Sequence, residues 1–315
     1  MNIPSVPPVS LRQLQYLVAV ADARSFRRAA EACHVAQPSL SAQVALAEEL
    51  LGLQIFERDR RGVRITPAGE ALVQQARQVL VAASDLRDMA QQYRDPFRGT
   101  LRLGVIPTVG PYLLPDLTPA LARAFPDLTL LWTEERTSTL VEKIHEGALD
   151  GAILALEADI GHCEYARLGR DPFVLAASPT HPLMKNRKAA TLQELNGTAL
   201  LLLDDGHCFR DQVASLCPQT GAEQMSFRAT SLSTLVQMAS AGTGVTLLPL
   251  LAVSVENRRS QLRVRTFAPP GPGRTLVLAW RRGSALRPAL SRVADTMRTT
   301  LARSRITKPR RIASW

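Results

Sequence analysis

Cys208 lies between His207 and Arg210 in the run Leu202-Leu203-Asp204-Asp205-Gly206-His207-Cys208-Phe209-Arg210-Asp211-Gln212, and Cys217 follows nine residues later. Either basic neighbour, turned toward sulfur, favours thiolate over thiol and makes the cysteine nucleophilic near neutral pH. A thiolate attacks the O–O bond of a peroxide to give a sulfenic acid, which a second thiol condenses to a disulfide, and Cys217 is the obvious second thiol. Two other readings of these residues stand beside this one. Cys208 can be a small buried hydrophobe beside an ordinary histidine, or Cys208, His207 and Cys217 can hold a metal. Metal is disfavoured because no CxxC pair or close second histidine accompanies them, so neither a metal nor another cofactor is expected. If residues 208–217 start as helix, the two α-carbons stand roughly 13.5 Å apart along the axis and on opposite faces. A disulfide needs them within about 7 Å, so oxidation would have to unwind the segment, and Pro218 already limits how far a helix continues.

The elements around these residues must come from 315 residues, enough for two or three compact units each with its own core. Apolar residues at 46% and charged ones at 21% exclude disorder as the main state. No apolar run approaches the ~20 residues of a membrane span, and Met1 to Ser10 do not read as a signal peptide. A cytoplasmic protein with no membrane partner is expected, and four cysteines are too sparse for a secreted disulfide scaffold. The net charge of +10 suggests a polyanionic partner, but its location matters. Residues 1–95 contribute +1, residues 96–257 contribute −5, and residues 258–315 contribute +14.

Ser10 and Gln13 have the form of a capping box, and Leu14, Leu17, Val18 and Ala21 follow at helical spacing. Ser25 can cap a second, short helix through Phe26, Ala29, Ala30 and Cys33, broken at His34 to Gln37. Pro38 suits the first turn of a third, in which Leu40, Val44, Ala47 and Leu51 form the buried stripe and Gly52 the stop. Gln37, Ser39, Ser41 and Gln43 lie off that stripe. Short helix, tight turn and polar-faced helix form a helix-turn-helix signal. Ile55-Phe56 and Val63–Ile65 read as two strands around the basic tip Arg58-Asp59-Arg60-Arg61-Gly62, suited to phosphate contact. From Thr66-Pro67 a long helix begins, on which Leu72, Ala76, Val79, Ala83, Leu86, Ala90 and Tyr93 are spaced alternately by four and three. That is a heptad seam, read as a two-stranded coiled coil.

After Gly99 the pattern is α/β. Short apolar runs over 101–106, 128–132, 151–156, 173–177, 199–203, 245–248 and 275–280 alternate with helical stretches such as 112–125 and 139–145. No Gly-x-Gly-x-x-Gly follows the first strand and no Walker A loop is present, so a nucleotide cofactor is unsupported. A ligand or reactive site is expected at strand C-terminal ends, near Thr108.

The run from Leu11 to Gly69, with Phe26-Arg27-Arg28-Ala29-Ala30, Gln37-Pro38-Ser39-Leu40-Ser41, Glu48-Glu49-Leu50-Leu51-Gly52 and Thr66-Pro67-Ala68-Gly69, resembles the winged helix-turn-helix of LysR-type transcriptional regulators. The resemblance implies a winged helix-turn-helix over residues 1–67 and a linker and dimerisation helix over 68–98. A redox-sensing regulatory domain over 99–302 would follow, built from two Rossmann-like subdomains in the manner of periplasmic binding proteins. From its charge alone, and with no motif role, the stretch 303–315 reads as a disordered basic tail. The resemblance further implies double-stranded promoter DNA as partner, with Gln37, Pro38, Ser39 and Ser41 at base edges and Arg12 and Arg58 on phosphates. RNA polymerase and a homo-oligomeric dimer of dimers are implied as well. Ala45 and Leu46 stand where relatives usually carry basic residues, which predicts a shallower salt dependence of binding, on the order of one slope unit per lost contact.

Gly206-His207-Cys208-x-Arg210-Asp211-Gln212 with Cys217, and Ile106-Pro107-Thr108-Val109-Gly110, resemble the peroxide-sensing members of this family. That implies Cys208 as peroxidatic and Cys217 as resolving thiol, with Thr108 and Thr137 positioning hydrogen peroxide. His207, Arg210 and Asp211 would form the local polar network, with Arg274 stabilising thiolate from the other side. The implied function is a peroxide-responsive activator rather than an enzyme. The competing expectations are a LysR-type regulator gated by a small metabolite, its cysteines incidental, and a thiol peroxidase that turns over. Cys33 and Cys163 match no role.

Overall fold

The computed structural model describes residues 9–59, 62–92, 97–216, 221–259 and 261–303. The chain divides into two compact units, residues 1–91 and 92–315. In the first, α1 (Leu11–Ala23) opens on the expected capping box: the Ser10 hydroxyl accepts from the Gln13 amide at 3.3 Å, and the Gln13 side chain accepts from the Ser10 amide at 2.8 Å. Helix α2 (Phe26–Ala32) starts at the Ser25 cap and stops at a turn in which His34 adopts φ +53°, tight enough to launch α3 (Gln37–Leu51) at once. Leu40, Val44 and Ala47 are fully buried against Leu17, Val20, Ala29 and Ile55, as the stripe requires. Gly52 closes α3 at φ +66°.

The wing is a two-stranded antiparallel ribbon, β1 (Phe56–Asp59) with β2 (Gly62–Ile65). Glu48 of α3 fastens it, its carboxylate accepting the amides of Ile55 and Phe56 at 2.7 and 2.9 Å. The 26-residue α4 (Pro67–Gln92) follows. Its seam divides in two. Leu72 is half-buried against the core of its own unit and Ala76 is buried, so these positions already make contacts within the unit. Val79 and Leu86, by contrast, are 39% and 71% exposed. Tyr93 lies outside the described residues.

The second unit is α/β. Strands β3 (Gly99–Val105), β4 (Leu128–Glu134) and β5 (Gly151–Ala155) are parallel neighbours in the order β4-β3-β5, with α5 (Gly110–Ala124) and α6 (Thr137–His145) as the crossovers. The 14-residue β6 (Glu164–Ala177) then runs through both halves of the unit. Its first part pairs antiparallel with β11 (Gly273–Trp280), which also pairs with β5. Its second part pairs with β9 (Thr246–Pro249) and β10 (Arg263–Thr266). A second parallel pair, β7 (Ala199–Leu203) with β8 (Glu223–Ala229), carries α7 (Cys208–Ala214) and α8 (Leu232–Ser240). Helices α9 (Leu250–Glu256) and α10 (Arg287–Arg303) complete it.

The sequence pattern marks only residues 173–177 of β6. Its outer half reads Glu164-Tyr165-Ala166-Arg167-Leu168-Gly169-Arg170, a partly solvated stretch rather than a buried apolar run. Strands β8 and β10 are also missed, since neither reads as an apolar run in the sequence. Arg265 is nevertheless buried in β10, because Glu194 receives its guanidinium at 2.8 and 3.2 Å.

Candidate functional site

Thr108 and Thr137 follow the C-terminal ends of β3 and β4, parallel neighbours whose last residues, Val105 and Glu134, are in register. Both threonines are buried. The Thr108 hydroxyl accepts from Arg274 Nη1 at 2.6 Å, and the Thr108 carbonyl accepts from Nη2 at 2.9 Å. Because that hydroxyl oxygen is already an acceptor, its own proton can be donated to a further group. The Thr137 hydroxyl is buried with no hydrogen-bond partner among the described residues. A native fold seldom leaves such a group unmatched unless something else visits it.

Arg274, on β11, is fully buried. Besides Thr108 it holds Asp171 of β6, with Nε donating to Oδ2 at 3.0 Å, and its guanidinium lies 5.6 Å over the ring of Phe209. Phe209 also meets Phe173 edge-on, with centroids 5.0 Å apart. Burial pushes the Asp171 carboxyl up, while Arg274 and the amides of Leu251 and Leu250 pull it back. The clamp Thr108–Arg274–Asp171 thus joins the loop after β3 to the long shared strand, and it meets the cysteine segment through the residue after Cys208.

That segment leaves β7 at Leu203, turns through Gly206 at φ +87° and starts α7 at Cys208. Cys208 is half-buried, a free thiol packed at the edge of the core. His207 is buried, and its carbonyl accepts the amide of Arg210 at 2.8 Å. Burial holds the His207 imidazole below its ordinary pKa, and the Arg136 charge adds to this against an opposing pull from Asp204. The imidazole is therefore neutral near pH 7. Arg210 is turned to carboxylates, reaching Asp205 at 3.1 Å and the exposed Asp211 at 3.5 Å. The helical start is present over 208–214, and Ser215-Leu216 leave it as a turn. Cys217 lies outside the described residues.

The placement of three residues of this neighbourhood is not legible in the sequence. Asp171 is itself buried but directly follows the partly solvated stretch of β6, outside any apolar run. Arg136 only precedes Thr137, yet its guanidinium rests against Gly206, where a Cβ would fall 2.6 Å from Nη1. Gln212 belongs to the cysteine string, but nothing in that string tells that both of its amide atoms are buried without a hydrogen-bond partner among the described residues.

In the first unit, Gln37, Pro38 and Ser39 are exposed at the start of α3 and Ser41 is half-buried. Arg12 Nε donates to the Tyr16 hydroxyl at 3.0 Å. Arg58 belongs to β1, and its side chain lies outside the described residues. Among the described residues no helix is long and apolar enough to cross a membrane, and no group of three His, Cys, Asp or Glu residues could hold a metal.

A helix-turn-helix with a β-wing, a long helix after it and an α/β unit with buried polar residues at its strand ends define a class of transcription regulator. Residues 11–70 match the bacterial regulatory helix-turn-helix protein, LysR family, and residues 94–302 match the LysR substrate binding domain. The chain belongs to the LysR family of DNA-binding transcription regulators. Within it, the chain is 45% identical to the hydrogen peroxide-inducible genes activator of Dickeya chrysanthemi, over 92% of this chain and 95% of that protein. It is 43% identical to the DNA-binding transcriptional dual regulator OxyR of Escherichia coli K12, over 93% and 96%. Among solved structures it is similar to a full-length OxyR variant from Pseudomonas aeruginosa, with TM-score 0.77 and 38% identity over 92% of this chain and 95% of that one. A hydrogen-peroxide-bound OxyR mutant from Corynebacterium glutamicum gives TM-score 0.63 and 32% identity over 95% of each chain.

Proposed function

We propose that this protein is a peroxide-sensing transcription regulator in which Cys208 is the reacting thiol and Cys217 its resolving partner. The observation that carries the reading is the pair of buried threonine hydroxyls at neighbouring strand ends, Thr137 unmatched and Thr108 polarised by Arg274. Both are suited to hold a small polar molecule, and similarity to proteins named for hydrogen peroxide supports hydrogen peroxide as that molecule. The Cys208 thiolate forms the S–O bond as the O–O bond breaks, giving sulfenic acid and hydroxide. The Cys217 thiol then forms the S–S bond, and water leaves. Asp211 and Arg210 hold the first turn of α7, Arg274 fixes Thr108 and Phe209, and unwinding α7 is the switch. On DNA, Gln37, Pro38, Ser39 and Ser41 read bases, while Arg12 and Arg58 hold phosphates. Val79, Ala83, Leu86 and Ala90 of α4 pair two chains, two dimers form the tetramer, and RNA polymerase is the downstream partner in the cytoplasm.

The test is a footprint on promoter DNA with the thiol form and after stoichiometric hydrogen peroxide. Loss of two thiols per chain and a changed footprint are expected, both abolished in Cys208→Ser. A footprint unchanged after full oxidation would remove the reading in favour of metabolite gating. Sustained peroxide consumption with an added reductant would replace it with a thiol peroxidase.

A further inference from the structure

The turn before Cys208 is shaped by a residue from another element. Gly206 stands at φ +87°, and a Cβ there would lie 2.6 Å from Arg136 Nη1, 3.2 Å from Cζ and 3.4 Å from Cδ. The guanidinium therefore fills the space a side chain would take, and only glycine satisfies both the backbone and the contact. Arg136 reaches there from the N-cap of α6, where its carbonyl accepts the Leu140 amide at 3.0 Å. The next residue, Thr137, turns inward with its unmatched hydroxyl. A single stretch of backbone thus sends one side chain into the buried site and the other onto the turn that presents the thiol.

We propose that Arg136 is a positioning residue for the oxidation of Cys208: laid on Gly206, it holds the Asp205-Gly206-His207 turn in the form that places the thiol at the start of α7. This rests on Cys208 being the peroxide-reactive thiol. Asp205 is engaged by Arg210 at 3.1 Å, and among the described residues Arg136 forms no salt bridge, so its charge stays beside the turn. His207 feels it: Arg136 and Asp204 are the charged groups that act on the imidazole, and Arg136 adds to the burial that keeps it neutral. A neutral imidazole can accept the thiol proton, after which sulfur attacks and the peroxide is reduced. The guanidinium occupies the place a Gly206 Cβ would take. Lysine keeps the charge without the plane, and glutamine loses the charge.

The test uses the full chain carrying Cys217→Ser, which stops the reaction at sulfenic acid. The second-order rate of Cys208 oxidation by hydrogen peroxide is followed against pH by dimedone trapping and mass spectrometry, and His207 is titrated by NMR. Arg136→Gln is expected to slow oxidation on the order of ten-fold and to raise the His207 midpoint. Arg136→Lys should leave that midpoint close to the parent's while recovering only part of the rate. Gly206→Ala should slow oxidation in the parent and add less in the Arg136→Gln background. A parent-like rate and an unmoved His207 midpoint in Arg136→Gln would overturn the inference while the sensing reading stands. If Cys208 of the parent itself fails to react with stoichiometric peroxide, the reading of the site falls first and the inference with it.

Discussion

The two sides of the candidate site are built differently. On one side, Arg274, Asp171 and Thr108 are buried, and the guanidinium donates to both partners. They tie β11, β6 and the loop after β3 together. On the other, Gly206 to Leu216 is a positive-φ turn and a seven-residue helix held by partly exposed ion pairs, with a buried glutamine amide unmatched. A sensor that must hold its signal molecule in a fixed geometry and then rearrange needs one part that does not yield and one that does. On the function proposed above, the clamp is the first and α7 the second.

The clamp side is where the largest effect is expected. Arg274→Ala leaves Asp171 buried without its cation, strips Thr108 of a donor and removes the cation over Phe209. Breaking one partner of such a pair costs about 3–5 kcal/mol, whereas replacing both with apolar residues of similar volume is far milder. Urea unfolding should show Arg274→Ala strongly destabilised and the double variant Arg274→Met with Asp171→Leu only partly restored, because the Thr108 carbonyl and the Leu251 amide still lose their buried partners. A loss of less than about 1 kcal/mol in Arg274→Ala would erase the contrast, since that is the worth of an ordinary surface pair.

The yielding side makes the opposite prediction. A buried amide without partners costs about 1–3 kcal/mol, and an apolar residue of similar shape removes that penalty. Gln212→Leu should therefore stabilise the thiol form by about that amount, slow amide exchange over residues 208–214 and delay disulfide formation. Faster exchange in Gln212→Leu would mean that the amide supports the helix, and α7 would lose its place as the yielding part.

The sequence shows these two sides unequally, for a physical reason. Cys208, His207 and Thr108 stand in local strings whose chemistry is legible from neighbours, and the strands that carry them, 101–106 and 199–203, are apolar runs. The clamp is non-local: Asp171 and Arg274 are 103 residues apart and meet because β6 pairs with β11 in a register that no periodicity reveals. Arg136 and Gly206 are likewise joined only by the fold. The buried stripe of α3 is legible because Leu40, Val44 and Ala47 keep helical spacing. The seam of α4 was legible as a seam, but its first positions are used within its own unit, a distinction that spacing alone does not contain.

A smaller effect separates the two sides by pH. The His207 imidazole is held below its ordinary value, so between that lowered value and about 6.5 the unfolded chain binds the proton and the folded one does not. The stability this contributes is complete above about pH 6.5 and is lost as pH falls through the folded-state value, with a slope of at most about 1.4 kcal/mol per pH unit. His181 is lowered in the same direction, so His207→Gln should flatten the acid-side slope without abolishing it. Thermal unfolding between pH 7 and 5 checks this, and a slope that His207→Gln leaves unchanged would place no burden of protonation on the cysteine turn.

The smallest change belongs to Arg210. Its two carboxylate partners are on the same short segment, Asp205 58% and Asp211 69% exposed, and solvent screens both pairs. Pairs of this kind contribute about 0–1 kcal/mol, so Arg210→Ala should barely move global stability, in contrast to the other arginine of the site. Its consequence is local. Without Arg210 the first turn of α7 loses its ties to Asp205 and Asp211, and amide exchange should rise over 208–211 while β11 and the Thr108 loop stay protected. Were exchange to rise at Thr108 as well, the two sides would be one cooperative unit, and the division between a fixed clamp and a yielding helix would not describe this molecule.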